Sequence, residues 1–500
     1  MNCCRLSNVR LIAGLLSLSG VILAGAGGRI FAGQAKPASA AEGQNWPQWR
    51  GPEGNGISKS KNLPTTWSLE KNIVWKTPLP SWSGGTPVIW GDRIFVTSPT
   101  KPAAGQSQAS PPSQSRLTLA SLSGEAQHSY SVHPLTLSPS HPLTKLTAQR
   151  GGQRDAGGPA LLLICISVED GSVLWQRELD QGNRVWNKQN ASSPSPVTDG
   201  VHVWVVTGTG AVTAFSMDGK EVWRHQLQKE YGRFGLNWGY ASSPVLYGGS
   251  LIIQVLHGNN TTDPSYIVAL NGLTGTEVYR KIRPTDAIRE SPDAYTTPAL
   301  LTFGGKTQLV ISGGDYVTGH DPKTGTEIWR AGGLNPGKNP NFRIVASPVV
   351  ADGMIYAPSR RRPLLALRAG GSGDVTRTHL AWQWDDRGGP DVPTPVCDGK
   401  YFYMVDDSGM ATCLDAKSGK VIWGPERAAS GTVDSSLVLA DGKLYITNES
   451  GVTTVLAAGP LYKVLATNGL DDSYTLSSIA VAGKRLFLRT SSHLYCIGEK

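Results

Sequence analysis

The sequence predicts an all-β fold, an eight-bladed β-propeller whose blades are four-stranded antiparallel sheets. A small residue followed by a turn, and in most repeats by Trp or Tyr, recurs every 41 to 55 residues. The chain also has 59 Gly and 33 Pro among 500 residues, which is typical of many short strands joined by tight turns. A strand repeat of this length indicates a propeller. The small residues are Cys165, Ala214, Ala269, Gly319, Ala366, Cys413, Val455 and Cys496.

This register locates the blades along the chain. The turn-and-Trp pattern is clearest in residues 170–175, 321–329 and 415–423, whereas blade seven has Leu465 where Trp is expected. One Trp per blade at a fixed register is best explained by packing between neighbouring blades. We predict the eight blades at residues 86–179, 193–227, 243–282, 297–334, 346–385, 393–427, 435–466 and 477–497.

Blade eight lacks a fourth strand at the C-terminus. Residues 73–79, which include Trp75, have the pattern of a final strand but no strands precede them. We therefore predict that this N-terminal strand completes blade eight and closes the ring. Closure would remove two unpaired sheet edges.

Blade one is interrupted between its second and third strands. Residues 99–160 are rich in Ser, Pro, Gln and Leu and lack strand alternation, so we expect a low-complexity, disordered insertion. It contains His128, His133 and His141 without nearby Cys or paired acids, and we expect no metal site there.

The N-terminus has the features of a targeting segment. Arg5 and Arg10 precede or begin an apolar stretch that is short for a membrane span, and small residues follow it. We predict a signal peptide within residues 1–40, cleaved after Ala26 or Ala40, and no membrane span after cleavage. An uncleaved anchor is the alternative. The mature protein is expected in the periplasm or secreted.

Charge and cysteine usage exclude several classes of function. The formal net charge of +9 is modest for 500 residues, and the only dense basic run is residues 360–362, so nucleic-acid binding is not expected. That run is interpreted as a charged loop tip or, alternatively, as a contact for an anion or partner. Three of the four mature cysteines occupy the small-residue register, and no C-x-x-C is present, so we expect structural thiols.

The segments that lead into the blades are the candidate binding site. In a propeller they surround one mouth of the central channel, where Asn, Trp, Tyr, Arg and acidic residues would converge. The alternative is a polar mouth that only binds its own loops. The candidate ligand-binding residues are Asn187, Asn190, Trp238, Tyr240, Glu290, Tyr295, Arg343 and Asp391.

Common catalytic signatures are not present in the sequence. It contains no P-loop, H-E-x-x-H, G-x-S-x-G or Rossmann glycine triplet after a strand, and no catalytic residue is assigned. Residues 406–409, Asp-Asp-Ser-Gly, lack the remaining ligands of a calcium loop and are interpreted as a hairpin turn.

The repeat resembles the pyrroloquinoline-quinone-type (PQQ-like) β-propeller family. The sequence Asp-Ala-Lys-Ser-Gly-Lys-Val-Ile-Trp at 415–423 is close to the family's turn-and-Trp motif, and the resemblance covers about residues 46–497 apart from the insertion. Residues 46–56 look like the N-terminal signature of exported bacterial members.

Two branches of that family imply different functions. Quinoprotein alcohol and glucose dehydrogenases hold the quinone over the channel with Ca²⁺, and the alcohol dehydrogenases stack it on a disulfide between adjacent cysteines. The only adjacent pair here is Cys3–Cys4, in the signal segment. Outer-membrane protein assembly factor B is a non-enzymatic, lipidated scaffold, and no Cys follows the apolar stretch here.

Three functional hypotheses remain open at this point. The leading one is an exported, monomeric, non-catalytic scaffold that binds a protein or small ligand of the cell envelope at the channel mouth, without a cofactor. The alternative is a PQQ- and Ca²⁺-dependent dehydrogenase of alcohols or sugars. The third is a polysaccharide-binding module that uses Trp186 and Trp238.

Overall fold

The computed structural model describes residues 43–102, 157–186, 188–386 and 388–499. The expected signal peptide, most of the insertion in blade one and Asn187 lie outside these ranges. Within them the chain forms eight blades of antiparallel strands, as predicted, and almost no helix. None of the helices in this part of the chain has the length and apolar character needed to cross a bilayer.

The first half of the chain supplies two N-terminal strands and blades one to four. The N-terminal strands are β1 (Ile57–Ser58) and β2 (Ile73–Pro78). Blade one contains β3 (Val88–Trp90), β4 (Arg93–Pro99), β5 (Ala160–Ser167) and β6 (Val173–Gln181), followed by the hairpin β7 (Val185–Trp186) and β8 (Gln189–Asn190). Blade two contains β9 (Val197–Thr198), β10 (His202–Val206), β11 (Ala211–Ser216) and β12 (Glu221–Gln226), followed by α1 (Leu227–Tyr231). Blade three contains β13 (Val245–Tyr247), β14 (Ser250–Val255), β15 (Tyr266–Asn271) and β16 (Glu277–Ile282), and blade four β17 (Ala299–Phe303), β18 (Lys306–Gly313), β19 (Tyr316–His320) and β20 (Glu327–Ala331).

The second half supplies blades five to eight. Blade five contains β21 (Val349–Ala351), β22 (Met354–Ala357), β23 (Leu364–Arg368) and β25 (Leu380–Trp384), while the short β24 (Gly373–Asp374) pairs with blade four. Blade six contains β26 (Val396–Cys397), β27 (Tyr401–Val405), β28 (Met410–Asp415) and β29 (Val421–Arg427). Blade seven contains β30 (Val438–Ala440), β31 (Lys443–Thr447), β32 (Thr453–Ala457) and β33 (Val464–Asn468), and blade eight β34 (Ala480–Ala482), β35 (Arg485–Arg489) and β36 (His493–Ile497).

The ring is closed by strands from the two ends of the chain. Strand β2 pairs antiparallel with β36 as the outermost strand of blade eight, and Trp75 lies opposite Cys496. The predicted closure is therefore confirmed. Separately, β1 pairs in parallel with β30 at the inner edge of blade seven, a pairing that the sequence analysis did not predict.

The repeating small residue lies in the third strand of every blade and, in every blade except the seventh, opposite the aromatic residue of the fourth strand. Cys165 faces Trp175 and Cys413 faces Trp423, each beside a register shift in the ladder. A wide indole on one strand leaves room for only a small side chain across from it, which explains the pattern. In blade seven the partner of Val455 is Ala466 rather than the expected Leu465, and neither residue is aromatic.

The aromatic residues of the fourth strands connect neighbouring blades. The indole N–H of Trp175 donates to the carbonyl oxygen of Met217 in blade two at 3.0 Å, and that of Trp423 donates to Gly459 in blade seven at 3.0 Å. A Cβ at Gly219 would lie 2.7 Å from the indole of Trp175, so the turn of one blade packs on the ring of the preceding one. The Gly and the Trp of the repeat thus belong to one contact between blades.

Candidate functional site

Eight hydroxyl side chains form a closed ring of hydrogen bonds around the axis. Each lies two residues before the first strand of its blade. Its backbone N–H donates to the hydroxyl oxygen of its counterpart in the next blade, over distances from 2.8 Å (Thr297 to Ser347) to 3.3 Å (Ser478 to Thr86). The eighth bond returns to blade one, so every blade is tied to the next at the axis. The members of this hydroxyl ring are Thr86, Ser195, Ser243, Thr297, Ser347, Thr394, Ser436 and Ser478.

The N-terminal residues 43–58, which we call the plug segment, cross one end of the channel. The segment begins at blade eight, where the carbonyl oxygen of Gly43 accepts the N–H of Gly483 at 2.7 Å. It then forms a bridge between Trp46 and Ile89 in blade one, and it ends where β1 pairs with blade seven. The two ends of the segment are therefore anchored on the consecutive blades seven, eight and one.

Two side chains of the plug segment reach the middle of the channel. Trp49 lies beside the first strands of blades three to five, next to Pro298 and Pro348. The guanidinium of Arg50 donates to the carbonyl oxygens of Thr394 at 3.1 Å and Leu437 at 3.0 Å, in blades six and seven. Trp49 also lines the cavity on the other side of the hydroxyl ring, so the plug segment forms a floor and the channel opens at the opposite mouth.

The cavity between this floor and the mouth, which we call the cup, has a volume of about 300 Å³. The hydroxyl ring lines its waist, with seven of the eight members on its surface. Its aromatic walls are Trp49, Trp186, Trp238 and Tyr295, and its charged lining is Lys188, Arg343, Asp391, Asp407 and Asp434. Residues from every blade, or from the segment that leads into it, line the cup.

Four of the proposed site residues form one connected group at the cup. The indole N–H of Trp238 donates to Glu290 at 2.7 Å, and its backbone N–H donates to the hydroxyl of Tyr295 at 3.0 Å. The guanidinium of Arg343 lies over the ring of Trp238, with its Cζ 5.7 Å from the centroid, and 3.8 Å from Glu290. The mouth therefore presents an aromatic surface flanked by both signs of charge.

A fifth proposed residue, Asp391, lies between two arginines. Its Oδ2 is 3.6 Å from Arg343 and 3.7 Å from Arg360, the first residue of the basic run. The side chain is 6% exposed, and no described residue hydrogen-bonds its Oδ1. One arginine of the basic run, Arg360, therefore lies at the rim of the cup.

Two other proposed residues face away from the cup. The amide of Asn190 donates to the carbonyl oxygen of Trp82 at 2.8 Å and accepts from Ser192, so it holds a turn. Tyr240 is buried in the core between blades two and three and donates to the carbonyl oxygen of Gln254 at 3.0 Å. In irregular lead-in segments the direction of each side chain is set by these local bonds and has no period that sequence reasoning can use.

Sequence reasoning missed a second charged group in the cup. The amino group of Lys188 lies 2.8 Å from Asp434 and 3.4 Å from Glu449. Burial raises the pKa of Asp434 to about 7, with Glu449 acting in the same direction and Lys188 opposing both. Lys188 stands next to Asn187 in a lead-in segment, and Asp434 directly precedes the first residues of blade seven, so their chain positions were the available signal.

Asp407 was the other missed residue of the cup. It belongs to the segment 406–409, where Asp406 does cap a hairpin turn by accepting the N–H groups of Ser408 and Met410, each at 2.9 Å. Asp407 instead turns to the channel, and its Oδ1 accepts the N–H of Asp391 at 3.1 Å. Burial raises the pKa of this carboxyl group.

The donors around the cup do not fit a quinone cofactor held by a metal. Among the described residues, no group of three or more His, Cys, Asp or Glu side chains is arranged to hold a metal ion. The four cysteines there are unpaired and buried in separate strands, so no adjacent pair offers a disulfide platform. What the cup provides is a fixed set of charges, aromatic faces and hydroxyls, which suits binding of a polar ligand.

The comparison with protein families decides where the chain belongs. The model of the outer membrane protein assembly factor BamB family matches residues 165–424 and 263–500. This chain belongs to the BamB family. No curated protein sequence matches it.

Solved structures similar to this BamB-family chain include a BamB protein and two dehydrogenases. BamB from Moraxella catarrhalis is 14% identical, with a TM-score of 0.48, over 67% of this chain and 91% of that one. The quinohemoprotein alcohol dehydrogenase from Comamonas testosteroni is 12% identical, with a TM-score of 0.59, over 93% and 82%. A europium-containing methanol dehydrogenase is 10% identical, with a TM-score of 0.61, over 92% and 99%. The likeness to the two dehydrogenases is one of fold.

Proposed function

We propose that this BamB-family protein is exported and acts as a non-catalytic binding scaffold, with the cup as the recognition site for a partner of the cell envelope. Removal of a signal peptide after Ala26 or Ala40 would leave the propeller as the mature protein. The observation that carries the proposal is the blind cup, because the plug segment closes one end and charged and aromatic side chains converge at the other.

The size of the cup supports a small polar group as its occupant. About 300 Å³ is at the lower end of the range for ligand pockets, and enough for one amino-acid side chain or a small metabolite. A side chain that projects from a partner protein would enter through the mouth and reach the hydroxyl ring. The neighbouring loops would then contact the rest of the partner.

The test fills the cup without removing a polar contact. Val345 lines the cup and is partly buried, so Val345→Trp occupies the space that the partner needs. Val201→Trp is the matched control, because Val201 is 48% exposed and outside the cup. Affinity capture and crosslinking from the native envelope should recover a partner with the parent chain and Val201→Trp, but not with Val345→Trp.

Two results would contradict the scaffold proposal. Equal recovery of the partner by Val345→Trp would show that the cup is not the recognition site. Reconstitution with PQQ and Ca²⁺ is the second experiment: quinone absorbance that stays with the protein through gel filtration, together with dye-linked oxidation of alcohols or sugars, would establish the dehydrogenase instead.

A further inference from the structure

The charge in the cup is opposite in sign to that of the whole chain. Among the described residues, three carboxylates and two cations line the cavity, so one carboxylate is in excess there, while the formal net charge of the chain is +9. The residues next to the lining extend this imbalance, because Glu290 and Glu449 add two acids and Arg360 adds one base. A concave site with a net excess of one sign of charge favours ligands of the opposite sign.

The two cations that line the cup are each shared by two acids. Lys188 contacts Asp434 at 2.8 Å and Glu449 at 3.4 Å. Arg343 lies 3.6 Å from Asp391 and 3.8 Å from Glu290. Each of these two cations is therefore already engaged by a pair of acids.

Two carboxylates of the cup lack a full set of close hydrogen-bond or ion-pair partners among the described residues. Asp391 is 5% exposed, its Oδ1 has no hydrogen-bond partner among the described residues, and its Oδ2 meets two guanidinium groups only beyond hydrogen-bond range. Asp407 accepts two backbone N–H groups at 3.1 Å, yet no cation in the described part of the chain lies within 4 Å of it. A buried carboxylate without a full set of partners is costly, and a bound cation would offset that cost.

The aromatic walls of the cup also favour a cationic ligand. The chain already places the Arg343 guanidinium over Trp238 at 5.7 Å and the Arg50 guanidinium over Trp49 at 5.8 Å. A cation on an aromatic face gains electrostatic energy from the ring, and the gain grows when the site excludes water. The alkyl stem of an amine would pack on the same surfaces.

We propose that the cup selects an organic cation, an ammonium or guanidinium group on an alkyl stem, which binds between Asp391 and Asp407. This inference rests on the proposed function, because it names the chemistry that the recognition site accepts. Two sources share this chemistry, the side chain of Lys or Arg in a partner protein and a free amine.

The experiment compares the affinities of matched probes by isothermal titration calorimetry, with the change in intrinsic tryptophan fluorescence of the whole protein as a second readout. The probes are acetyl-Gly-Lys-Gly-amide, its Gln and Glu counterparts, and n-butylammonium as the free amine. We expect the Lys peptide to bind at least about tenfold more tightly than the Gln and Glu peptides. A tenfold difference in affinity corresponds to the loss of one charge-assisted hydrogen bond. Binding of n-butylammonium with the same affinity as the Lys peptide would identify a free amine as sufficient, whereas weaker binding would identify a protein side chain.

Charge-neutral variants locate the site. Asp391→Asn and Asp407→Asn should each weaken binding of the Lys peptide about tenfold. Glu169→Gln removes the same charge from an exposed turn of blade one and should leave binding unchanged. The two variants change separate side chains, Asp391 in the segment that leads into blade six and Asp407 in a hairpin of that blade. One remains informative if the other folds poorly, and thermal unfolding of each variant monitors folding.

The outcomes separate this inference from the proposed function. Tighter binding of the Glu peptide, equal binding of all three peptides, or no effect of either Asp variant would overturn selection of a cation. The scaffold proposal would survive those results if Val345→Trp still abolished capture of the partner. Failure of both experiments would reject the cup as a binding site altogether.

Discussion

The buried cysteines show how a repeat position determines the chemistry of a single residue. Cys165, Cys413 and Cys496 occupy the place that Ala or Gly fills in other blades, opposite a Trp, and all are fully buried. Burial raises the pKa of these three thiols to about 12 and that of Cys397 to about 11. The thiolate is the reactive form of cysteine, and burial disfavours it. The burial that lets these side chains pack well therefore also makes their thiols unreactive.

We predict that the four thiols do not react with iodoacetamide in the folded protein. A chain with Cys3→Ser and Cys4→Ser isolates them. A free thiol has a pKa of about 8.5, so its labelling rate would rise between pH 7 and 9, whereas the raised pKa values here should keep the rate near zero over that range. Mass spectrometry should show four labels after unfolding in guanidinium and none before. Stoichiometric labelling of the native protein would contradict this account.

Glycine at the same repeat position shows where residue-level reasoning from the sequence was incomplete. The indole of Trp329 turns into its own blade and donates to Gln308, and a Cβ at Gly319 would lie 2.2 Å from it. The corresponding indole of Trp223 instead reaches the carbonyl oxygen of Gly272 in the next blade at 2.8 Å. The repeat predicted a small residue at each position, but which direction the opposing indole takes depends on packing that the sequence does not display.

Among the elements, the plug segment is the one whose role could not be predicted. Its residues lack strand alternation, and β1 has only two residues, so no periodic signal exists. Its place depends on contacts with blades more than 340 positions away along the chain, such as that of Arg50 with Thr394.

The hydroxyl ring, by contrast, has a readable signal in the sequence, since six of its eight members stand directly before Pro. Ser-Pro and Thr-Pro steps are common turn signals, however, and only the blade register gives them this meaning.

Arg50 anchors the plug segment, and its loss should release the segment from the channel. The guanidinium is buried and donates to backbone carbonyl oxygens in blades six and seven, and burial lowers its pKa to about 9, so it stays protonated at pH 7. Arg50→Met keeps the apolar stem but leaves those oxygens unpaired. We expect the free energy of unfolding to fall by about 2 kcal/mol.

Limited proteolysis and thermal unfolding together measure this effect. In Arg50→Met, cleavage within residues 43–58 should precede global unfolding, whereas the parent chain should resist cleavage there. Arg377→Met is the matched control, because Arg377 is exposed and lies between β24 and β25, outside the plug segment. Equal protection of the plug segment in both variants would show that other contacts hold it.

At the scale of the whole molecule, two sets of contacts close the ring, one at the central axis and one at the periphery. At the axis, the N–H of Ser478 donates to Thr86 and completes the hydroxyl ring. At the periphery, β2 pairs with β36, and the indole N–H of Trp75 donates to the carbonyl oxygen of Val168 in blade one at 3.0 Å. Period, strand count and closure all followed from the sequence, because each blade buries its faces only against its neighbours and so repeats the same local pattern.

Deletion of residues 70–80 should convert this closed ring into an open one. Blade eight would lose its outermost strand and expose the edge of β36, and the peripheral contact between blades eight and one would disappear with Trp75. Unfolding could then begin at the open seam and spread from blade to blade, because stability in a repeat protein is a sum of neighbour contacts. We expect a broader denaturant transition with a smaller m-value, which signals loss of cooperativity.

A deletion of the same length at 110–120, within the expected insertion, is the control and should leave a single sharp transition. If the 70–80 deletion unfolded like the parent chain, the hydroxyl ring and the inner strands would suffice to hold the propeller closed, and the peripheral strand would serve only to cover an edge.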